Sequence, residues 1–550
     1  MAARTIVVVG GALAGPTAAA RARELDDHAR IVLVERNVRV SYAVGALAYH
    51  LSGEVAAIDA LDREDRGFFE AFYRVEVQKE TEAIALDPAA RTVTLRRRGP
   101  SGSFKDESLA WDALIYAPGA ETIRPPEVAG DNVRPLRTVG DLEAISAALH
   151  GGARRFLVLG GGSFGLEAAD GLLRGGAEVT LVERGHTLLP RFGDHVSAAV
   201  LRALSAKADV RLGVTAVSSE ARDGRATEAR DGRVHRVILS DGTTVDTDWV
   251  VLATGVKPRT SLLAAAGVRL HEGGSAAIDD RARTSAPGIF ACGSCVAVES
   301  ALTGQPVWWP QAAIADKTAQ VAGANAAGAD ERLFPFTGSM LVRVLDLAVG
   351  RTGASWEEAR ATFGDVARTL VHARSNDPFF PGAAPIALEL IWSRADGRVL
   401  GVEAVGAGVD KRIDAAAAAI AARMTIEQLA RLDLGYSPPY AAARDPLNVV
   451  ATAASAERAG LGRSITAREV RAGTYVLLDV GTERAPLPGA RHIPITELRD
   501  RLGELDRDAS IVVCSGSGRH GWLAVRILAQ HGFSDVHNLA GGVSSLELTS

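Results

Sequence analysis

Two glycine-rich turns, each followed at a distance by a carboxylate, are the parts of this 550-residue chain best suited to chemistry on a dinucleotide. The first runs Gly10-Gly11-Ala12-Leu13-Ala14-Gly15 and is answered by Glu35, with Arg36 beside it. The second runs Gly160-Gly161-Gly162-Ser163-Phe164-Gly165 and is answered by Glu183, with Arg184 beside it. Glycine lets a backbone turn tightly and approach a pyrophosphate, and the helix that follows offers free N–H groups and a positive dipole end. An acid about 20 residues further on is placed for a ribose hydroxyl. One such turn is a weak signal, whereas two complete ones call for two dinucleotides.

Positioning these groups requires strand–helix–strand units, and the apolar runs supply them. Thr5–Val9 and Phe156–Leu159 end in the glycines; Ile31–Val34 and Val179–Val182 end in the acids. Three further turns close short apolar runs: Ala117-Pro118-Gly119-Ala120, Ala253-Thr254-Gly255 and Ala291-Cys292-Gly293-Ser294. The expected fold is α/β, with two Rossmann-like domains, an α+β domain and a small C-terminal α/β domain. The formal net charge of -5, with no long basic run, speaks against a nucleic-acid partner. The first strand starting at Thr5 leaves no room for a signal peptide, and no apolar stretch is long enough for a membrane span. Three cysteines give no disulfide framework, which suits a reducing cytoplasm. Twelve scattered histidines show no metal-ligand spacing, so no metal is expected.

In the order of these turns the chain resembles the two-dinucleotide flavoprotein reductases. The resemblance assigns FAD to the first turn, with Gly10, Gly11, Ala12, Gly15, Glu35, Arg36, Gly119, Gly293 and Ser294 as its contacts. It assigns NAD(P)H to the inserted turn, with Gly160, Gly162, Gly165, Glu183 and Gly255. The expected domains are FAD-binding at 1–120 and 247–326, NAD(P)-binding at 121–246, dimerisation at 333–452, a linker at 453–466 and a rhodanese-like domain at 467–550. The dimerisation domain implies a homodimer. The stretches Val409-Asp410-Lys411-Arg412-Ile413-Asp414 and Tyr436-Ser437-Pro438-Pro439-Tyr440 narrow the likeness to coenzyme A-disulfide and persulfide reductases fused to a rhodanese domain. That likeness implies Arg21 and Arg23 at coenzyme A phosphates, Ser41 and Tyr42 at the substrate, Glu167 near the nicotinamide–flavin stack, and Tyr436 or Tyr440 as a hydroxyl at the flavin.

The departures from that family bear directly on chemistry. Gly45 stands where the family carries its redox cysteine, and glycine can form neither a mixed disulfide nor a thiolate. Ser163 replaces an aromatic ring that lies over the flavin, and Gly293-Ser294 replaces a Gly-Asp pair. Phe379-Phe380 replaces a tyrosine pair. In the rhodanese loop Cys514-Ser515-Gly516-Ser517-Gly518-Arg519, one register puts Ser515 at the sulfur-carrying position; another puts Cys514 there. Cys292 and Cys295 read as small buried side chains rather than a redox pair. The expectation is an FAD-dependent NAD(P)H oxidoreductase, NADH favoured by Glu183, passing hydride to a small-molecule acceptor without a cysteine relay. A coenzyme A derivative is one candidate acceptor. The alternatives are sulfur chemistry through a displaced cysteine such as Cys514, and a non-catalytic flavoprotein scaffold.

Overall fold

The apolar runs that end in glycine become the middle strands of two parallel sheets in the computed structural model, which describes residues 4–62, 66–98, 103–221, 232–472, 474–482 and 488–548. The chain divides into two compact units, residues 1–186 with 208–336, and residues 187–207 with 337–550.

In the first unit, one sheet has the order Ile289–Ala291, Ala113–Tyr116, Thr5–Val9, Arg30–Val34, Val75–Gln78, all parallel. Its strands are apolar on both faces, as a sheet covered by helices on each side demands; Val7, Val32 and Leu114 are wholly buried. The helix Ala14–Leu25 packs on Ala312–Ala326, so closely that a Cβ at Gly323 would overlap the Ala18 carbonyl. The second sheet has the order Asp209–Leu212, Glu178–Glu183, Arg155–Leu159, Trp249–Leu252, Val133–Pro135, again all parallel. The boundary expected at residue 246/247 is therefore corrected. Trp249–Leu252 pairs with Arg155–Leu159 and belongs to the sheet of the second glycine turn. A short helix, Leu47–Leu51, rests on the helix Ser163–Arg174, where Gly171 and Gly175 leave room for it: a Cβ at Gly171 would lie 2.5 Å from the Ala48 carbonyl oxygen. This contact ties the segment around Gly45 to the second glycine turn.

The second unit holds an antiparallel sheet in the order Met340–Val344, Leu347–Gly353, Val399–Gly406, Pro385–Ser393, Val366–Arg374. Gly350 faces Val409 and Ile413 of the helix Val409–Ala421. Its neighbour Arg351 points the other way and donates to the Arg191 carbonyl, just before the helix Asp194–Ser205. That helix was expected inside the NAD(P) domain; it packs on this sheet instead. Arg412, 1% exposed, donates to Asp445 at 3.2 and 2.8 Å and to the carbonyls of Gly408 and Ser375. A bidentate fork of this kind clips two helix starts together, so this motif arginine is structural.

The expected linker is also corrected. The helix Pro446–Arg458 continues through its first residues, and Arg463–Ile465 is already a strand of the last sheet. That sheet is parallel, in the order Arg463–Ile465, Val536–Leu539, Ile511–Cys514, Val476–Asp479, Arg491–His492. No helix among the described residues is long and apolar enough to cross a membrane.

Candidate functional site

The two glycine turns are built alike, hydrogen bond for hydrogen bond. Gly10 N–H donates to the Val34 carbonyl at 2.9 Å and Gly160 N–H to Val182 at 2.8 Å. Both glycines are left-handed, with φ of 109° and 113°, and a Cβ on either would overlap the carbonyl of Ala117 or Ala253. A Cβ on Gly15 would overlap the Gly10 carbonyl, and one on Gly165 the Gly160 carbonyl. Neither following helix carries a side-chain cap, so the first-turn N–H groups remain available to phosphate oxygens. Glu35 accepts from Gly11 N–H and Glu183 from Gly161 N–H, each at 2.6 Å, which places both carboxylates at the rim of their turns. Ala12 and Gly162 are half-buried within those turns.

Gly119, Gly255 and Gly293 are all left-handed, at φ 74°, 95° and 80°. A Cβ at Gly293 would lie 2.9 Å from the Ala14 Cβ, so glycine alone lets the 3-10 turn Gly293–Cys295 approach the first fingerprint helix. Ser294 accepts from the Trp308 indole N–H at 3.0 Å through its carbonyl. Ala312 and Ala313, exposed at the uncapped start of Ala312–Ala326, add free N–H groups near that turn.

A cavity of about 700 Å³ opens beside Arg36 and Asn37, where the first ribose acid ends. Six cations line it, Arg36, Arg124, Arg134, Arg137, Lys257 and Arg259, against two acids, Glu121 and Asp141. Glu121 pairs with Lys257 at 3.2 Å and with Arg259 at 3.6 Å. Arg137 lies under the Phe164 ring at 5.4 Å; burial, then Arg259, pulls its pKa below the usual arginine range. This lining suits phosphate-bearing ligands. Apart from Arg36, these cations escaped the sequence reading, because three separate segments contribute them and no local spacing announces it.

Of the residues expected at the substrate, Ser41 is left-handed (φ 54°) and is held by a 2.8 Å bond from its N–H to the Gly11 carbonyl. Tyr42 is buried, with its N–H on the Ala12 carbonyl; burial, then Glu35, pushes its hydroxyl pKa up. Gly45 is exposed, and a Cβ there would meet nothing within 4 Å. Glu167 sits half-buried one turn into the second fingerprint helix. Arg23 is a correction: 8% exposed, it donates to the carbonyls of Tyr73, Asp26, Asp27 and Arg74 and has no fork left for a phosphate. Arg21 is paired with Glu24 and Glu331. Tyr436 and Tyr440 are 52% and 76% exposed in the second unit, and the Tyr436 hydroxyl donates to Asp377 at 2.8 Å.

All three thiols are buried. Burial pushes Cys295 up to about 12, and burial followed by Cys295 raises Cys292. Cys514 ends the strand Ile511–Cys514, opposite Asp479, and burial followed by Asp479 pushes its thiol up to about 12. Ser515 is the first loop residue; its hydroxyl accepts from Gly521 N–H at 3.0 Å. The structure thus puts Ser515, not Cys514, in the loop. Ser515→Cys is expected to bring measurable thiosulfate:cyanide transfer to a domain that otherwise shows little, while Cys514→Ser leaves that baseline unchanged. Loss of a real baseline activity in Cys514→Ser would refute this register. Among the described residues no group of side chains could hold a metal ion.

Two such turns, each on its own parallel sheet, are the arrangement of a pyridine nucleotide oxidoreductase. Residues 4–322 match the family model for pyridine nucleotide-disulphide oxidoreductases, 341–446 that family's dimerisation domain, and 466–548 the rhodanese-like domain. The chain belongs to the pyridine nucleotide-disulphide oxidoreductase family, within the coenzyme A-disulfide and persulfide reductase group. It is 30% identical over 454 residues to a CoA-dependent NAD(P)H sulfur oxidoreductase of Pyrococcus abyssi, covering 82% of this chain and 97% of that one. Among solved structures it is similar to the NAD-dependent persulfide reductase from A. fulgidus (32% identity, TM-score 0.91, 98% and 99% of the two chains). It is also similar to the reduced Bacillus anthracis CoADR-RHD (28% identity, TM-score 0.92, 100% and 98%).

Proposed function

We propose that this NAD(P)H oxidoreductase binds FAD at the first fingerprint and NADH at the second, works as a homodimer, and reduces a small-molecule acceptor without a cysteine relay. The observation that carries the last point is the state of the thiols: all three are buried, and exposed Gly45, at the position where the resemblance implies the family's sulfur, carries none. When bound, FAD supplies the capacity to take hydride from the nicotinamide and pass it on. The protein contributes orientation: uncapped helix starts hold the diphosphates, and Glu35 and Glu183 meet the riboses. Gly45 and Ser163 are both small, which leaves room for a bulky acceptor such as a quinone or an unsaturated carbonyl compound, or for oxygen.

A second reading has the stronger support from the relatives. Their names point to sulfur, with coenzyme A, and to persulfide as the acceptors. In this chain such a reaction would run without a thiol at residue 45. Anaerobic NADH should bleach the yellow protein, and the reduced protein should then be mixed with a quinone, with oxygen or with coenzyme A persulfide. Reoxidation by the persulfide alone would discard the first reading, and no bleaching at all would discard both.

Glu183 accepts from the N–H groups of Gly161 and Gly185, which holds its carboxylate at the rim of the second turn, where the ribose of NADH would lie. A carboxylate there bonds a free 2′-hydroxyl and repels a 2′-phosphate. Glu183→Ala is expected to narrow the preference for NADH over NADPH by about 1–3 kcal/mol, read as the ratio of kcat/KM values. Equal use of both coenzymes by the wild type would contradict it.

A further inference from the structure

Beneath the helix Asp194–Ser205 the second unit buries two carboxylates side by side. Glu389 and Glu403 are direct cross-strand partners, 4% and 1% exposed, and Arg351 is the partner of Glu403 on its other side. Gly193, at the start of the helix, donates its N–H to Glu403 Oε2 at 2.5 Å. A Cβ built on Gly193 would lie 3.1 Å from Glu403 Oε2, 3.2 Å from His195 Nδ1 and 3.4 Å from Glu389 Oε1, so the three groups crowd one point. Glu389 Oε1, Glu403 Oε1 and His195 Nε2 have no hydrogen-bond partner among the described residues.

The charges around this pair do not neutralise two anions. Arg351 is shared with Glu358 at 3.0 Å, and Arg191 reaches Glu358 from the segment before the helix. Arg368, from the edge strand, lies 3.9 Å from Glu389, as does His195 from the helix. Glu357 and Asp194 add negative charge nearby. His372, on the same edge strand, is held neutral to about pH 4 by burial and by His195, which burial and Arg368 likewise hold to about 4. Two adjacent carboxylates out of water cannot both ionise cheaply.

We propose that Glu389 and Glu403 hold one proton between them and form a latch on the helix Asp194–Ser205, closed in acid and loosened progressively as the pH rises towards mild alkali. Burial, against the pull of Arg351 and with the repulsion of Glu389, raises the Glu403 carboxyl to about 8 from an ordinary value of 4.5. A carboxyl raised on folding stabilises the fold below its unfolded value and loses that contribution as pH rises through the folded one. The latch is thus expected to weaken progressively between about pH 4.5 and about 8 and to change no further above that.

The test is hydrogen–deuterium exchange of amides 194–205 in the full-length protein, corrected for intrinsic rate, between about pH 5 and 9. In the wild type, exchange is expected to rise by up to about tenfold per pH unit, the limit for one proton, and to level off above about pH 8. Glu403→Gln keeps an acceptor for Gly193 and removes one of the two carboxyls, so the rise should shrink, and in the double glutamine variant it should vanish. Should the double variant fail to fold, Glu389→Gln alone removes the repulsion and should shrink the rise, with burial of Glu403 accounting for what remains. A flat wild-type exchange profile, or glutamine variants that track the wild type, would overturn the latch.

Discussion

Gly45→Cys is expected to raise coenzyme A disulfide reduction by on the order of 100-fold, equivalent to roughly 2.7 kcal/mol off the barrier. The position is exposed in the 3-10 turn Val44–Ala46, its backbone lies outside the left-handed region, and an added Cβ meets nothing within 4 Å. A thiol there costs the fold little. It supplies a nucleophile that splits one difficult displacement into two easier ones: one coenzyme A leaves as its thiolate while the other is held on the new thiol as a mixed disulfide. Reduction of the variant should also produce a long-wavelength thiolate–flavin absorption band that the wild type lacks. A wild type that already turns over the disulfide at typical enzymatic rates, roughly 1–1000 per second, would show that the sulfur chemistry lies elsewhere.

The glycine turns lead to the second large effect. Gly165→Ala is expected to leave a yellow, folded protein that NADH reduces at least about 100-fold more slowly, since a shift of about 1 Å at a positioned reactant costs that much. The added methyl would overlap the Gly160 carbonyl, so the turn must open at the proposed site of the nicotinamide diphosphate. Gly15→Ala meets the Gly10 carbonyl in the same way and should instead yield protein without flavin. The pair separates the two sites by colour and by rate. Flavin lost from Gly165→Ala and retained in Gly15→Ala would reverse the assignment of the fingerprints.

The fingerprints were legible in the sequence because their physics is local. A run such as Thr5–Val9 is apolar at every position because both faces of its sheet are covered, and the glycines follow at once because no other residue fits that turn. The absence of a sulfur at residue 45 was equally plain, since an absent atom needs no fold to be noticed.

What depended on pairing and burial was decided only in three dimensions. Trp249–Leu252 reads as a buried strand in any sheet, and only its register against Arg155–Leu159 assigns it to the sheet of the second glycine turn. The helix Asp194–Ser205 carries an ordinary amphipathic pattern, which does not say which sheet its apolar face meets. Arg23 looked like a phosphate ligand until its guanidinium was seen spent on four backbone carbonyls. Glu389 and Glu403 are 14 positions apart and unremarkable in the chain; a cross-strand register makes them neighbours, and burial makes that neighbourhood costly. Chain order fixes what the backbone can do at a turn, whereas the free energy of a charge depends on everything packed around it, and that is known only when the distant segments have met.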